Sequence, residues 1–300
     1  TNAPTYNTNS TLAYNTGGSF GAGVTWLTGD TDSPNNVTII DSDVNFGGDG
    51  DARFIDGDLD IQTGGSLTLS TAVGGDLNLK GNWSNAGTFT ANDRAVFFDG
   101  GGNQDITNTS TSATIDIPFV FIQKDNATDK IRLNADMVVS DQLDITTGTL
   151  VTNDRLTMQP GSDFVDQGDN VTGNITFQQE ITSGNEFILF ASPTTNTTFN
   201  DILEPLWTQS ITGSDAPGNG DANVWTWDNN STGNDKANWS PVGDLGNQLS
   251  KGTGFLTFVF ADTDFDGPET DPFPLNVSTT GEVGTGTISP TINGNDEGFT

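Results

Sequence analysis

The sequence contains no cysteine and no histidine, and each absence excludes a class of chemistry. Without cysteine the chain forms no disulfide bond, and cysteine usage says nothing about its redox compartment. Catalytic triads that use histidine or cysteine, and zinc sites with histidine ligands, are also excluded. A glycosidase with two carboxylates needs neither residue, but no acidic pair stands in a recognisable catalytic motif. We therefore expect the chain not to be an enzyme.

Positive charge is scarce as well. Nine Lys and Arg residues stand against 40 Asp and Glu, giving a formal net charge of −31. Because binding to phosphates requires clustered cations, nucleic acid is not expected as a partner, and anionic membrane surfaces are disfavoured. Such acidity either reflects a saline habitat or benefits from divalent cations, and both interpretations stay open.

Long apolar runs are missing, since no stretch approaches the roughly 20 residues of a membrane span. We expect no membrane insertion. Hydrophobic residues make up 32% of the chain, which is close to the composition of a disordered protein. Disorder is argued against by 19 Phe, 6 Trp and clear alternation of apolar and polar residues.

That alternation is clearest in residues 57–69, which begin Gly57-Asp58-Leu59-Asp60-Ile61 and predict two short strands around a glycine corner. Similar stretches lie at residues 75–90 and 142–151. The first two Gly-Asp-Leu copies start 18 residues apart, near the lower limit of the repeat periods of solenoids. A unit this small cannot bury its apolar face alone, whereas stacked copies can. The pattern therefore predicts a parallel β-helix.

The order of these segments predicts an all-β protein with three regions. Residues 1–36 are expected to form an N-terminal cap or edge segment, and residues 37–175 the parallel β-helix. Longer apolar runs and most of the tryptophans follow, so residues 176–300 are predicted to form a compact β-sandwich-like domain. The sequence stops at Thr300 in mid-pattern, and we expect this domain to continue beyond it.

Several motifs across roughly residues 55–300 carry a family resemblance: Gly81-Asn82-Trp83-Ser84-Asn85-Ala86-Gly87-Thr88-Phe89-Thr90, Ala95-Val96-Phe97-Phe98-Asp99-Gly100, Phe187-Ile188-Leu189-Phe190-Ala191-Ser192-Pro193, Val224-Trp225-Thr226-Trp227-Asp228 and Lys251-Gly252-Thr253-Gly254-Phe255. The resemblance is to large, repetitive, adhesin-like surface proteins secreted by the Bacteroidota. It implies an extracellular, cell-surface protein that is exported by the type IX secretion machinery. The C-terminal sorting domain used by that route does not lie within these 300 residues.

One local motif predicts a metal site. Asp262, Asp264 and Asp266 alternate along the chain and are followed by a glycine, as at the start of a calcium loop. Glu269 and Asp271 could supply further oxygen ligands. Phe273 stands where an EF-hand has its twelfth-position glutamate, so a loop between strands is expected instead. Calcium is the candidate cation, and the alternative is an acidic surface turn. A second acidic cluster, at residues 49–60, is expected to consist of solvated corner residues.

Three tryptophans form a second candidate site. Trp225 and Trp227 are two residues apart on a predicted strand and share one face, and Trp239 is expected nearby. Exposed indole rings stack on sugars, because they combine an apolar surface with a polar N–H. The interpretation that we favour from the sequence is that the three rings form the core of the second domain, which otherwise has few large residues.

Together these observations predict a non-enzymatic extracellular protein, acting as an adhesin or as the subunit of a surface fibre. Its expected partners are further copies of itself or surface glycans. The alternative is a carbohydrate-binding module, or a non-catalytic part of a polysaccharide-degrading enzyme.

Overall fold

The computed structural model describes residues 4–284 apart from positions 24, 30, 113, 169, 219, 229–237, 267–270 and 272. The protein is nearly all β, with about 2% helix. The chain divides into two compact units, Thr1–Ile175 and Thr176–Thr300. The all-β class and the β-solenoid predicted from the sequence are confirmed.

The first unit is a β-solenoid of about seven turns, built from three sheets of parallel strands. The first sheet contains, in spatial order, β1 (Thr11–Tyr14), β3 (Asn36–Ile39), β6 (Leu59–Ile61), β9 (Trp83–Asn85), β12 (Gln104–Asn108), β14 (Lys130–Leu133), β16 (Thr149–Val151) and β19 (Val171–Thr172). The second contains β2 (Ser19–Gly21), β4 (Asp43–Asn45), β7 (Ser66–Thr68) and β10 (Thr88–Thr90). The third contains β5 (Arg53–Ile55), β8 (Leu77–Leu79), β11 (Ala95–Gly100), β13 (Thr114–Lys124), β15 (Asp136–Thr147) and β17 (Leu156–Met158), with β18 (Asp163–Asp166) also paired to β15. Strands β1 and β2 fall within the segment expected to be a cap, and β1 stands at one end of the first sheet.

Inward-facing side chains stack from turn to turn. On the first sheet Val37 pairs with Leu59, Leu59 with Trp83, and Trp83 with Ile106. All four are at most 1% exposed. Because strand side chains alternate between two faces, each three-residue strand delivers one or two apolar groups inward. Each fully buried leucine contributes about 1.5–3 kcal/mol to folding.

The spacing of 18 residues between the Gly-Asp-Leu copies is not the length of a turn. Leu59 lies in the first sheet, whereas Leu77 lies in the third, so the two copies are neighbours within one turn. The true partner of Leu59 in the next turn is Trp83, 24 residues later. The predicted architecture was therefore correct, although the 18-residue spacing on which it was based is not the repeat length of the solenoid.

A ladder of Asn and Asp side chains supports one corner of the solenoid. The backbone N–H of Asp58 donates to Asn36 Oδ1 at 2.9 Å, and the N–H of Asn82 donates to Asp58 Oδ1 at 2.7 Å. The N–H of Asp105 then donates to Asn82 Oδ1 at 2.9 Å. Each side chain thus accepts a hydrogen bond from a backbone N–H at the corner, where the ladder of the sheet provides no partner. This role explains the aspartate of the Gly-Asp-Leu motif.

The second unit is built around an antiparallel sheet of four strands, in the order β21 (Glu186–Ala191), β26 (Gly254–Val259), β23 (Val224–Trp227) and β24 (Trp239–Pro241). A two-stranded sheet joins β22 (Thr197–Thr198) to β25 (Gln248–Leu249), and β20 (Ile175–Ile181) lies beside β27 (Leu275–Gly281). The helix α1 (Phe199–Leu203) is capped by Thr198, whose side chain accepts from the N–H of Asp201. Phe190, Val224 and Phe255 belong to the apolar core, which also includes Phe199 and Ile202 from α1. The sandwich arrangement expected for this unit stays a prediction.

Candidate functional site

The three tryptophans of the candidate sugar site lie on one face of the four-stranded sheet. Trp227 of β23 stands opposite Trp239 of β24, and Trp225 stands between Leu256 and Pro241 on the neighbouring strands. All three are partly exposed. The core cluster of the described residues includes their neighbours Val224 and Phe255, which alternate to the other face, but none of the tryptophans.

Two further apolar residues, Phe187 and Leu189 on β21, are the most exposed on this face. They are 59% and 67% exposed, respectively, and they pair with Phe258 and Leu256 of β26. We call the resulting surface the aromatic face and define it as Phe187, Leu189, Trp225, Trp227, Trp239, Leu256 and Phe258. An apolar surface left open to water in this way usually marks a site of interaction.

Ring contacts hold the aromatic face together. The centroid of Phe187 lies 5.8 Å from that of Trp225 and 5.0 Å from that of Phe258. Trp227 and Trp239 contact each other edge to face at 5.2 Å. Each such pair is worth about 0.5–1.5 kcal/mol beyond the area it buries, so the rings support one another without being in the core.

From Phe258 the ring contacts continue to the predicted calcium loop. Phe258 contacts Phe260 at 5.0 Å, Phe260 contacts Phe265 at 5.3 Å, and Phe265 contacts Trp207 at 4.6 Å. Phe265 belongs to the acidic motif and is 49% exposed. The two candidate sites predicted separately from the sequence are therefore linked by a continuous series of aromatic contacts.

The structure brings together three of the five predicted calcium ligands. Carboxylate oxygens of Asp262, Asp264 and Asp271 all lie within 4.8 Å of one another. Asp266 is not part of that group, and Glu269 lies outside the described residues. Asp264 is exposed and the other two are partly buried. Three carboxylates at such separations repel one another, and a hard divalent cation would offset that repulsion.

Hydrogen bonds within the loop set its shape and charge. The N–H of Phe265 donates to Asp262 Oδ1 at 2.6 Å, and the N–H of Asp266 donates to Asp264 Oδ1 at 3.2 Å. Asp271 accepts from both the N–H and the hydroxyl of Thr263, and these bonds lower the pKa of its carboxyl. The negative charge of Asp264 raises the pKa of Asp266. The loop thus concentrates negative charge, as a cation site requires.

Most members of the other acidic cluster have structural partners. Asp49 forms an ion pair at 2.8 Å with the buried Arg53, and the hydrogen bond lowers the pKa of Asp49. Asp56 pairs with Lys80 at 2.6 Å, and Asp60 accepts from the side-chain amide of Gln62 at 2.8 Å. Together with Asp58 in the corner ladder, these contacts give the cluster a role in the solenoid's corners.

The sequence did not predict a buried polar cluster inside the solenoid. Lys124 is 3% exposed, and its Nζ donates to the carbonyl oxygen of Asp99 at 2.5 Å and to Gln104 Oε1 at 2.6 Å. The Gln104 amide in turn donates to the carbonyls of Leu79 and Gly81 at 2.9 and 2.6 Å. Burial lowers the pKa of Lys124 and raises that of Asp99, whose Oδ1 is buried without a hydrogen-bond partner in the described structure. The cluster closes a corner of the solenoid with hydrogen bonds instead of apolar packing.

The described part of the chain includes no helix with the length and apolarity of a membrane span. No protein-family model matches the chain, and comparisons with curated proteins and with solved structures returned no match.

Proposed function

We propose that the chain is a non-enzymatic extracellular protein of the cell surface, acting as an adhesin or as the subunit of a surface fibre. The observation that supports this best is the solenoid itself. Seven turns of parallel strands, about 4.7–4.9 Å apart, make a scaffold roughly 30 Å long. Its interior consists of stacked apolar residues and corner ladders, an arrangement suited to reach and display.

Other properties fit the same proposal. A chain with a net charge of −31 and no cysteine depends on neither disulfide bonds nor a reducing compartment. The motif resemblance to secreted surface proteins of the Bacteroidota favours export by the type IX secretion machinery. We also propose that the second unit is β-sandwich-like, because one face of its four-stranded antiparallel sheet packs on an apolar core to which Val277 of β27 also contributes.

Electron microscopy of native material, combined with immunogold labelling of intact producing cells, tests this proposal. We expect label on the outer surface, either on regular filaments or on dispersed surface particles. Filaments would identify a fibre subunit, and their loss in a calcium chelator would give the acidic loop a structural role. Label confined to the cell interior would contradict the proposal.

Carbohydrate binding is a second candidate function, and the position of the tryptophans favours it. Trp225, Trp227 and Trp239 lie on the sheet face opposite the core, where their rings are accessible to a ligand. Quenching of tryptophan fluorescence by a soluble quencher, measured on the full chain and on Trp225→Phe, tests that exposure. A Trp225 signal fully protected from the quencher would contradict this role.

Calcium binding is proposed for the acidic loop. Asp262, Asp264 and Asp271 are the ligands that the geometry favours, with Asp266 and Glu269 as the further candidates expected from the sequence. Calcium would order the loop that includes Phe265 and thereby stabilise the second unit.

A further inference from the structure

Among the described residues of the second unit, none covers the exposed apolar side chains of the aromatic face. Phe187 and Leu189 expose more than half of their surface, although the same strand buries Phe190 in the core. Strand β21 therefore has apolar side chains on both faces, as strands buried on both sides do. Contact with a partner would remove this apolar surface from water.

The negative charge of the second unit limits which kinds of partner can bind the aromatic face. Residues 176–300 contain seventeen acidic residues and two lysines. Of those lysines, Lys236 lies outside the described residues, and the ammonium of Lys251 donates to the carbonyl of Val283. A sulfated or uronic-acid polymer would therefore find little positive charge on this unit. Further copies of the chain, each with a net charge of −31, would repel one another at this face unless cations offset that charge.

A neutral glycan satisfies both constraints. The C–H faces of sugar rings stack on aromatic side chains, and their hydroxyl groups donate hydrogen bonds to carboxylates. Here the ring contacts lead from Trp225 through Phe187 and Phe258 towards Phe265, next to the carboxylates of the acidic loop. Successive centroids 5.0–5.8 Å apart offer several rings to one extended ligand.

We infer that the aromatic face binds a neutral polysaccharide, and that Phe187 and Leu189 are contact residues alongside Trp225, Trp227 and Trp239. This inference rests on the carbohydrate-binding candidate function and extends it in two ways. It names the chemical class of the ligand, and it adds two residues of β21 that the sequence did not single out as a site.

Affinity electrophoresis of the full chain tests the inference. The gels would contain hydroxyethylcellulose, galactomannan or laminarin as neutral probes, and alginate or carrageenan as anionic ones. We expect at least one neutral polysaccharide to retard the protein and the anionic ones not to. Retardation by the anionic polymers alone, or by none of the five, would overturn the inference.

Four alanine variants locate the site. Trp225→Ala is expected to weaken binding by about tenfold or more, as for a central aromatic contact, and Phe187→Ala or Leu189→Ala by about threefold to tenfold. Leu189 is 67% exposed and contributes no ring contact, so Leu189→Ala should melt within about 1–2 °C of the parent, and its lost binding is not lost folding. Phe187→Ala also removes two ring contacts and should melt lower than Leu189→Ala. Phe20→Ala is the matched control, since Phe20 is 37% exposed on the solenoid. Equal binding by the parent and all variants of the aromatic face would place the ligand elsewhere and overturn the assignment.

Light scattering after gel filtration identifies the competing occupant. A dimer that forms with rising concentration and disappears in Phe187→Ala would show that a second copy covers the face, which also overturns the inference.

Failure of glycan binding together with surface labelling of intact cells would leave the surface-protein proposal standing. Glycan binding by a protein that labels only the cell interior would overturn that proposal alone.

Discussion

The solenoid and the second unit are both built from β-strands but place their tryptophans differently. In the solenoid, inward residues such as Leu59 and Leu77 are fully buried, and the corners are supported by Asn and Asp. In the second unit the four-stranded sheet has a buried core on one face and the aromatic face on the other. The first region buries both of its tryptophans, whereas the second has three of its tryptophans partly exposed on the aromatic face. Substitutions that separate folding from binding therefore test this comparison.

The largest expected effect is on Trp83. Its ring is fully buried and contacts Phe89 edge to face at 4.7 Å, so Trp83→Ala should destabilise the solenoid by about 3–5 kcal/mol. Trp225→Ala, on the partly exposed aromatic face, is the control and should cost less than half as much. Urea unfolding followed by circular dichroism measures both. Equal losses would remove the distinction between structural and accessible tryptophans.

Calcium should stabilise the second unit and leave the solenoid unchanged. At about 100 times the dissociation constant, a single site contributes about 2.7 kcal/mol, which corresponds to a rise in melting temperature of roughly 5–10 °C. Asp264→Ala should abolish this rise, because it removes one of the three converging carboxylates. Differential scanning calorimetry in calcium and in chelator would resolve the two transitions.

The exposed Asp116 of the solenoid supplies the control for the calcium experiment, and Asp116→Ala should keep the full rise. An equal rise in the parent and in Asp264→Ala would contradict the assignment of the loop. A rise confined to the solenoid transition would move any calcium site to the other acidic residues.

The next effect concerns the close packing of turns at a solenoid corner. A Cβ added to Gly81 would lie 2.3 Å from the carbonyl carbon of Gly57, so Gly81→Ala should cost about 1–3 kcal/mol. Gly48→Ala is the matched control, because a Cβ there meets nothing closer than Thr71 Oγ1 at 3.9 Å. Thermal melting of both variants makes the comparison. Similar melting temperatures would mean that the corner relaxes freely.

These positions show what the sequence could predict. Alternation of apolar and polar residues reports that side chains of a strand face opposite ways, which is enough to predict an all-β solenoid. It does not report the register, because Gly-Asp-Leu occurs at two corners of the same turn. Asn-Asp-Arg, at residues 92–94 and 153–155, marks two turns but not equivalent corners, since the copies follow strands of different sheets. In both copies Asn and Asp have positive φ, a turn geometry that these residue types tolerate well.

The candidate site was predictable only in part. The spacing of Trp225 and Trp227 predicted a shared face, but both faces of their sheet are apolar, and alternation cannot tell which one is buried. For the same reason the exposure of Phe187 and Leu189 was not predicted, because every residue from 187 to 190 is apolar. The buried contact between Lys124 and Gln104 was not predictable, since it joins residues 20 positions apart at one corner.

The smallest expected effect concerns pH and the buried carboxyl of Asp99. Burial raises its pKa above the ordinary value of 3.8, so the folded state holds the proton more strongly than the unfolded state. Stability should therefore fall as pH rises from about 3.8 through the raised pKa, and stay lower above it.

Asp99→Asn removes the buried charge and should raise the melting temperature of the solenoid at pH 7 by about 1–2 °C. The advantage should shrink below the raised pKa, where the parent carboxyl is also neutral. An Asp99→Asn variant that is less stable at pH 7 would mean that the attraction between Asp99 and the neighbouring Lys80 and Lys124 outweighs its desolvation.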